Sequence, residues 1–160
     1  MTAQKQVKLS TDGACVGNPG PGGWACTLRF GDHTREVFGC EKHTTNNRME
    51  LRAVIEGLRA LRERCVVTIA TDSKYVMRGM TEWLKNWKAN GWKTSKKSKG
   101  GGQPVVNQDL WVELDAQVSR HSVQWQWVKG HADDADNLLC DSLANRAARE
   151  QTSSAEVIRR

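Results

Sequence analysis

The sequence predicts one mixed α/β domain, on three observations. Short segments of strand-like alternation open the chain, a continuous β-branched run lies near its middle, and stretches of helical periodicity follow each. In residues 6–11 polar and apolar side chains alternate (Gln6, Val7, Lys8, Leu9, Ser10, Thr11), and Asp12-Gly13 ends that strand with a turn signal. Residues 17–23, with Gly17, Gly20, Gly22 and Gly23 around Pro19 and Pro21, read as a turn-rich loop. Residues 24–30 and 35–40 form two more strands about Gly31-Asp32, so the first three strands make an antiparallel meander. Over residues 46–64 the period changes: Met49, Ala53, Val54, Leu58 and Leu61 share one helical face, with Thr44 or Thr45 as N-cap. Residues 66–71 are a continuous apolar run, the mark of a buried central strand. Helices are expected from about Ser73 and again from about Met80, then a flexible Lys/Ser/Gly loop over 96–104. A helix over 109–119, a strand over 123–128 and a closing helix over 138–150, with Leu139, Leu143 and Ala147 inside, complete the domain. Residues 1–150 thus form a single domain, and 151–160, which show no period, are expected to be a disordered tail.

Composition removes several classes. Hydrophobic residues are 38% and charged residues 26% of the 160, which excludes fibrous and low-complexity chains. No apolar run approaches the roughly 18–20 residues that a membrane span requires. The polar start, Met1 to Gln6, runs straight into a strand pattern and is expected to carry no signal peptide. Five cysteines (Cys15, Cys26, Cys40, Cys65, Cys140) are an odd number with no C-x-x-C pair, so idle thiols in a reducing cytoplasm are expected. With neither a second domain nor an exposed apolar stripe, the expected state is a monomer without a required protein partner.

The net charge of +6 has one source. Residues 83–99 hold Lys85, Lys88, Lys93, Lys96, Lys97 and Lys99 and no acid, and outside them acids and bases balance. Trp83, Trp87 and Trp92 are interleaved with those lysines. By itself this pattern fits a solvated basic face with two tryptophans turned into the core. It fits equally a polyanion-binding protrusion at about residues 80–100, with lysines on phosphates and an indole free to stack.

Four acids stand out. Two strands close on the same signal, Thr11-Asp12-Gly13 and Thr71-Asp72-Ser73. Each Asp alone reads as a turn former or helix cap, yet ligand groups of open α/β sheets collect at strand ends. Glu50 lies between Met49 and Leu51 at the margin of an apolar helical face, and Asp141 lies between Cys140 and Ser142 in the last helix. A carboxylate turned toward a core requires a partner, a proton or a metal. If the four converged they would repel one another, and two magnesium ions roughly 4 Å apart would relieve that repulsion and suit phosphodiester hydrolysis. The spacings do not themselves bring them together.

The motifs Thr11-Asp12-Gly13 through Asn18 to Gly23, Thr44-Thr45-Asn46-Asn47-Arg48-Met49-Glu50-Leu51, Thr71-Asp72-Ser73, and Trp127-Val128-Lys129-Gly130-His131-Ala132 through Asn137 to Cys140-Asp141 occur in one order from residue 6 to residue 150. Together they resemble bacterial type 1 ribonuclease H. The resemblance implies a ribonuclease H-like fold, a five-stranded mixed sheet (antiparallel meander plus parallel strands) flanked by helices. It implies endonucleolytic hydrolysis of the RNA strand of RNA–DNA hybrids, leaving 3′-hydroxyl and 5′-phosphate ends. By it, Asp12, Glu50, Asp72 and Asp141 are the catalytic carboxylates holding two Mg2+ ions, with Mn2+ able to substitute. Asp12 would bridge both ions, Asp141 would serve the ion that activates water, and Glu50 and Asp72 the ion facing the leaving 3′-oxygen. His131 matches a loop histidine that assists proton transfer or product departure. Asn18, Asn46 and Asn47 match contacts to the hybrid's minor groove and backbone, where 2′-hydroxyls distinguish RNA from DNA. Thr45 matches a phosphate-pocket residue on the DNA strand, and Asn107 a further substrate contact. The segment with Trp83, Lys85, Trp87, Lys88 and Lys93 matches the family's basic protrusion.

Some positions depart from the family pattern. His43 stands where arginine is common in the phosphate pocket, and Lys74 where glutamine is common, so both change a substrate contact. Residues 96–103 are longer and richer in glycine, Asp133, Asp134 and Asp136 make the late loop acidic, and Leu138 replaces a frequent glutamate. A silent hybrid-binding module and a DNA-cutting nuclease of the same fold are the competing readings. The complete acid set with His131 argues against the first, and Asn18, Asn46 and Asn47 against the second.

Overall fold

Five strands, β1 (Lys5–Cys15), β2 (Gly20–Phe30), β3 (His33–Thr44), β4 (Cys65–Thr71) and β5 (Ser122–Trp127), form one sheet in the order β3-β2-β1-β4-β5. The computed structural model describes residues 4–94, 102–128 and 134–154. Strands β1, β2 and β3 pair antiparallel, while β4 pairs parallel with both β1 and β5. This is the expected meander followed by parallel strands. The helices are α1 (Asn46–Arg59), α2 (Lys74–Arg78), α3 (Leu84–Ala89), α4 (Gln108–Ser119) and α5 (Ala135–Glu150). No helix among the described residues is long and apolar enough to cross a membrane.

Several boundaries differ from the sequence reading, each for a physical reason. Strand β1 does not stop at Asp12-Gly13: its pairing with β4 ends at Ser10↔Ala70, but pairing with β2 continues to Cys15↔Gly22. The expected glycine loop therefore begins β2 at Gly20, because glycines are needed where other elements press on the sheet. A Cβ on Gly23 would lie 2.5 Å from the Ala148 nitrogen of α5. Helix α1 stops at Arg59, ahead of the polar stretch Arg62-Glu63-Arg64. The two helices expected after Ser73 are one continuous helical path, with a π-helical turn over Gly79–Trp83 joining α2 to α3. Gln151 to Ser154, assigned to the tail, dock on the edge strand: the Ser154 N–H donates to the Phe38 carbonyl (2.9 Å), and Phe38 N–H to Ser154 Oγ (2.8 Å). The remaining tail, residues 155–160, lies outside the described residues.

The main core lies between the sheet and α1 with α4. It contains Leu9, Leu28, Met49, Leu51, Ile55, Leu58, Ile69 and Trp111. A smaller one joins Ala14 and Ala25 to Cys140, Ala144 and Ala148 of α5. Leu139 and Leu143 are only half-buried, so the inward face of α5 is made of small residues, not the expected leucines. Small side chains at four-residue spacing let the helix backbone approach the strands closely. At its start, Arg29 reaches Asp136 with two donors (2.7 and 3.2 Å), and Lys8 reaches Asp134 at 3.3 Å. Among the cysteines, Cys26, Cys65 and Cys140 are buried and Cys15 and Cys40 half-buried, all as free thiols. Burial pushes the Cys140 thiol up to about 12, which leaves it chemically idle at neutral pH.

Candidate active site

The acids sit where the sheet opens. Because β4 ends at Thr71 and stops pairing with β1 at Ser10, Asp12 lies on a stretch of β1 paired only with β2, and Asp72 follows β4 directly. Glu50 comes from the first turns of α1, whose start is fixed by Thr45: its Oγ1 accepts the Arg48 N–H at 3.3 Å. Gly13 lets that helix approach, since a Cβ there would lie 2.5 Å from Glu50 N and 2.6 Å from Met49 C. The result brings one carboxylate oxygen each of Asp12, Glu50 and Asp72 within 4.8 Å of one another. Asp141, from the second turn of α5, lies beside Asp12, close enough for its carboxylate to raise the Asp12 carboxyl. The structure thus brings three of the four acids into one cluster and sets the fourth, Asp141, beside Asp12.

Their electrostatics are those of an uncompensated cluster. Burial, then the charge of Asp72, pushes the Asp12 carboxyl up to about 7, with Asp141 adding to the rise and the hydrogen bond from Glu50 opposing it. Glu50 is raised well above the carboxylate range by burial and then by Asp12. One Glu50 oxygen, Oε2, is buried with no hydrogen-bond partner. Hard oxygen donors, mutual repulsion and an orphaned buried oxygen fit a site for divalent cations. Asp12, Glu50 and Asp72 are the residues that can hold one.

Around the acids the proposed substrate residues divide into three groups. Near the start of α1, Asn18 is exposed and its Oδ1 accepts the Asn46 N–H (3.1 Å); Asn47 and His43 are exposed and Thr45 is half-buried. Asn107, in the left-handed conformation (φ 62°) before α4, accepts from Arg48 through Oδ1 (3.2 Å) and donates through Nδ2 to the Tyr75 hydroxyl (3.0 Å). Lys74 is exposed at the start of α2. In the basic segment, Lys85 and Lys93 are exposed, while Lys88 pairs with Asp115 at 3.1 Å. Trp83 and Trp87 are half-buried in an aromatic stack with Tyr75 and Trp111 (ring centroids 5.2–6.2 Å apart). Trp87 packs on the core, and Lys85, Lys88 and Lys93 face outward. Lys96, Lys97, Lys99 and His131 lie outside the described residues.

Two features were not anticipated. Asp134 and Asp136 of the acidic loop are engaged by Lys8 and Arg29 of the sheet. Burial would raise the Asp134 carboxyl, but the Asn137 N–H and the Lys8 ammonium outweigh it and hold the group low. The second is Asn145, which hydrogen-bonds Asp141 from one turn further along α5. Its four-residue spacing from Asp141 was a usable signal. Nothing in the sequence foretold the sheet partners of the acidic loop.

The family profile described as RNase H matches residues 4–149. A ribonuclease H of Solibacter usitatus is 61% identical over 150 residues, covering 94% of this chain and 99% of the relative. Ribonuclease HI of Neisseria meningitidis serogroup B is 61% identical over 142 residues, 89% of this chain and 94% of the relative. Among solved structures, LC9-RNase H1, described as a type 1 RNase H with the type 2 active-site motif, superposes with a TM-score of 0.83 at 36% identity, covering 96% of this chain and 77% of that one. The N-terminal RNase H domain of a Mycobacterium tuberculosis protein gives 0.69 at 27% identity, covering 92% and 96%. A profile match along nearly the whole chain, agreeing in fold with relatives of this similarity, leaves one conclusion: the chain belongs to the ribonuclease H family, as a bacterial type 1 member.

Proposed function

We propose that this protein is an endoribonuclease that hydrolyses the RNA strand of RNA–DNA hybrids, using two Mg2+ ions, and leaves 3′-hydroxyl and 5′-phosphate ends. The observation that carries the reading is the cluster of Asp12, Glu50 and Asp72 with Asp141 against Asp12, in a chain of this family. Bound divalent cations would offset the repulsion among these acids, favour ionisation of an attacking water and stabilise charge on the leaving oxygen. The chain's own part is to hold four carboxylates rigidly, with Asp12 shared between both sides of the site, Asp141 on the water side, and Glu50 and Asp72 on the leaving-group side. Beside them, Asn18, Asn46 and Asn47 present amides to the minor groove, where hydrogen bonds to 2′-hydroxyls select RNA. The α1 N-terminus, Thr45, His43 and Asn107 favour backbone phosphate, and Lys74 adds a cation nearby. LC11-RNase H1, a neighbour in fold, is described in complex with RNA/DNA hybrid, which supports the same substrate here. A cleavage assay on hybrid, duplex RNA and duplex DNA, with Mg2+ and with a chelator, tests the reading. Cleavage confined to the hybrid and to Mg2+ supports it, whereas cutting of duplex DNA or activity in chelator overturns it.

His131 is assigned to proton transfer or product departure. His131→Ala is then expected to slow turnover by about a hundredfold with hybrid affinity unchanged. Equal losses in both, measured by single-turnover cleavage and by binding in Ca2+, would remove that role.

The basic protrusion, residues 80–100, is assigned to the DNA strand of the hybrid. Lys85→Ala with Lys93→Ala is expected to reduce the slope of log affinity against log salt by about 1.5, since each phosphate contact contributes roughly 0.7–0.9. Lys88, held by Asp115, is expected to add less. Trp83→Ala should cost affinity that salt does not modulate, and should also lower the melting temperature because its ring packs on Tyr75 and Trp87. A salt series of hybrid binding, with Ca2+ preventing cleavage, reads both. An unchanged slope in the lysine variant would make the segment a merely solvated face.

A further inference from the structure

Two separate devices determine where Asp141 points. Helix α5 is located by the ion pairs of Asp134 and Asp136 at its start and by Ala144 and Ala148 against the sheet. None of these contacts touches the Asp141 carboxylate. That carboxylate is half-buried, lies beside Asp12, and accepts a hydrogen bond from Asn145. Asp12, itself an acid of the cluster, offers that carboxylate no donor when both hold a cation. Asn145 does. Its Nδ2 donates to Asp141 Oδ1 at 3.2 Å and to the Asp141 main-chain carbonyl at 2.8 Å, bracing the side chain along its own helix.

We infer that Asn145 is a positioning residue for the water-side carboxylate: it engages one oxygen of Asp141 and leaves the other to the acid cluster. The residue type matters. A lysine or arginine one turn from Asp141 would pair with the carboxylate and compete with a divalent cation, whereas an amide orients it and leaves its charge intact. Hydrogen-bonded neighbours of metal-binding carboxylates typically alter metal affinity or activity by about 10–100-fold. Nor is a helix-stabilising role required of this position, since alanine is the better helix former there. The inference rests on the proposed cation-holding role of the cluster.

The test reads metal binding directly, without turnover. Free Mn2+ is measured by electron paramagnetic resonance during titration of the wild type, Asn145→Ala, Asn145→Leu, Asp141→Asn and the double variant Asp141→Asn/Asn145→Ala. Both Asn145 single variants are expected to bind Mn2+ about tenfold more weakly at one site, with a melting temperature equal to or above that of the wild type. In the Asp141→Asn background, Asn145→Ala is expected to change nothing further. Unchanged affinity in the single variants, or the same loss with and without Asp141, overturns the positioning role while the cation site stands. Absence of Mn2+ binding by the wild type itself overturns the cation-holding reading, and the inference with it.

Discussion

Asp12→Asn is expected to reduce hybrid cleavage in Mg2+ by at least about a thousandfold while leaving hybrid affinity in Ca2+ within about threefold. The asymmetry follows from where charge sits. Asp12 meets Glu50, Asp72 and Asp141 in the cluster, whereas the lysines proposed to face phosphate lie on the separate segment after Gly79. The same substitution should act oppositely on stability. In the folded chain Asp12 titrates at about 7, against 3.8 when free of the fold, so between these values the native state holds a proton that the unfolded chain has released. Stability from this group is therefore fully present below about pH 4 and is lost as pH rises through about 7, and Glu50 acts in the same direction. Metal-free wild type is expected to lose stability from pH 5 to 8. Asp12→Asn should flatten that profile and melt roughly 5 °C higher at pH 8 in chelator. Adding Mg2+ should reverse the order, because only the intact cluster gains much from binding. Thermal melts at three pH values with and without Mg2+ read all of this. Residual cleavage above a few per cent, or a variant melting below the wild type in chelator, would contradict the assignment.

How much of this was legible in the sequence depends on which interactions are local. The meander, the β4 run and helix α1 with its Thr45 cap were readable because alternation, β-branched composition and a cap followed by helical spacing are signals within a few residues. What failed was decided by contacts between distant segments. Gly20 to Gly23 read as a loop, since glycine signals turns by default, yet they belong to β2 because α5 presses on Gly23. On the inward face of α5 leucine would normally be the better core residue, and only the closeness of the sheet selects alanines. Asp12 was placed at a strand end; it lies within β1, at the point where one neighbouring strand stops and the other continues. For the site, the four acids were found as strand-end or helix-margin carboxylates, but their convergence followed from the family resemblance. Asn145 lies one helical turn from Asp141, a spacing that permits their hydrogen bond without announcing it.

Gly13→Ala carries the second large effect, and it isolates packing from charge. The φ of Gly13 lies outside the left-handed region, so alanine suits its backbone conformation and the whole cost is one of space. The added methyl would meet Glu50 N at 2.5 Å and Met49 C at 2.6 Å, both main-chain atoms of a fourteen-residue helix that cannot rotate away as a side chain would. Helix α1 must retreat from β1, and Met49, Leu51 and Ile55, all fully buried, must retreat with it. Overpacking of this kind costs about 1–3 kcal/mol, so the melting temperature should fall by roughly 3–10 °C. The retreat also carries Glu50 away from Asp12, and a displacement near 1 Å in a reacting constellation costs about a hundredfold in rate. Gly23→Ala presses on α5 instead, so it should lower stability comparably and act through Asp141. For Gly13→Ala, turnover at saturating hybrid and Mg2+ should remain depressed at 15 °C, well below its melting transition, because the displaced carboxylate persists in the folded enzyme. A variant that melts early yet turns over normally when cold would mean that the helix yields elsewhere, and that the close approach at Gly13 does not set the distance between Asp12 and Glu50.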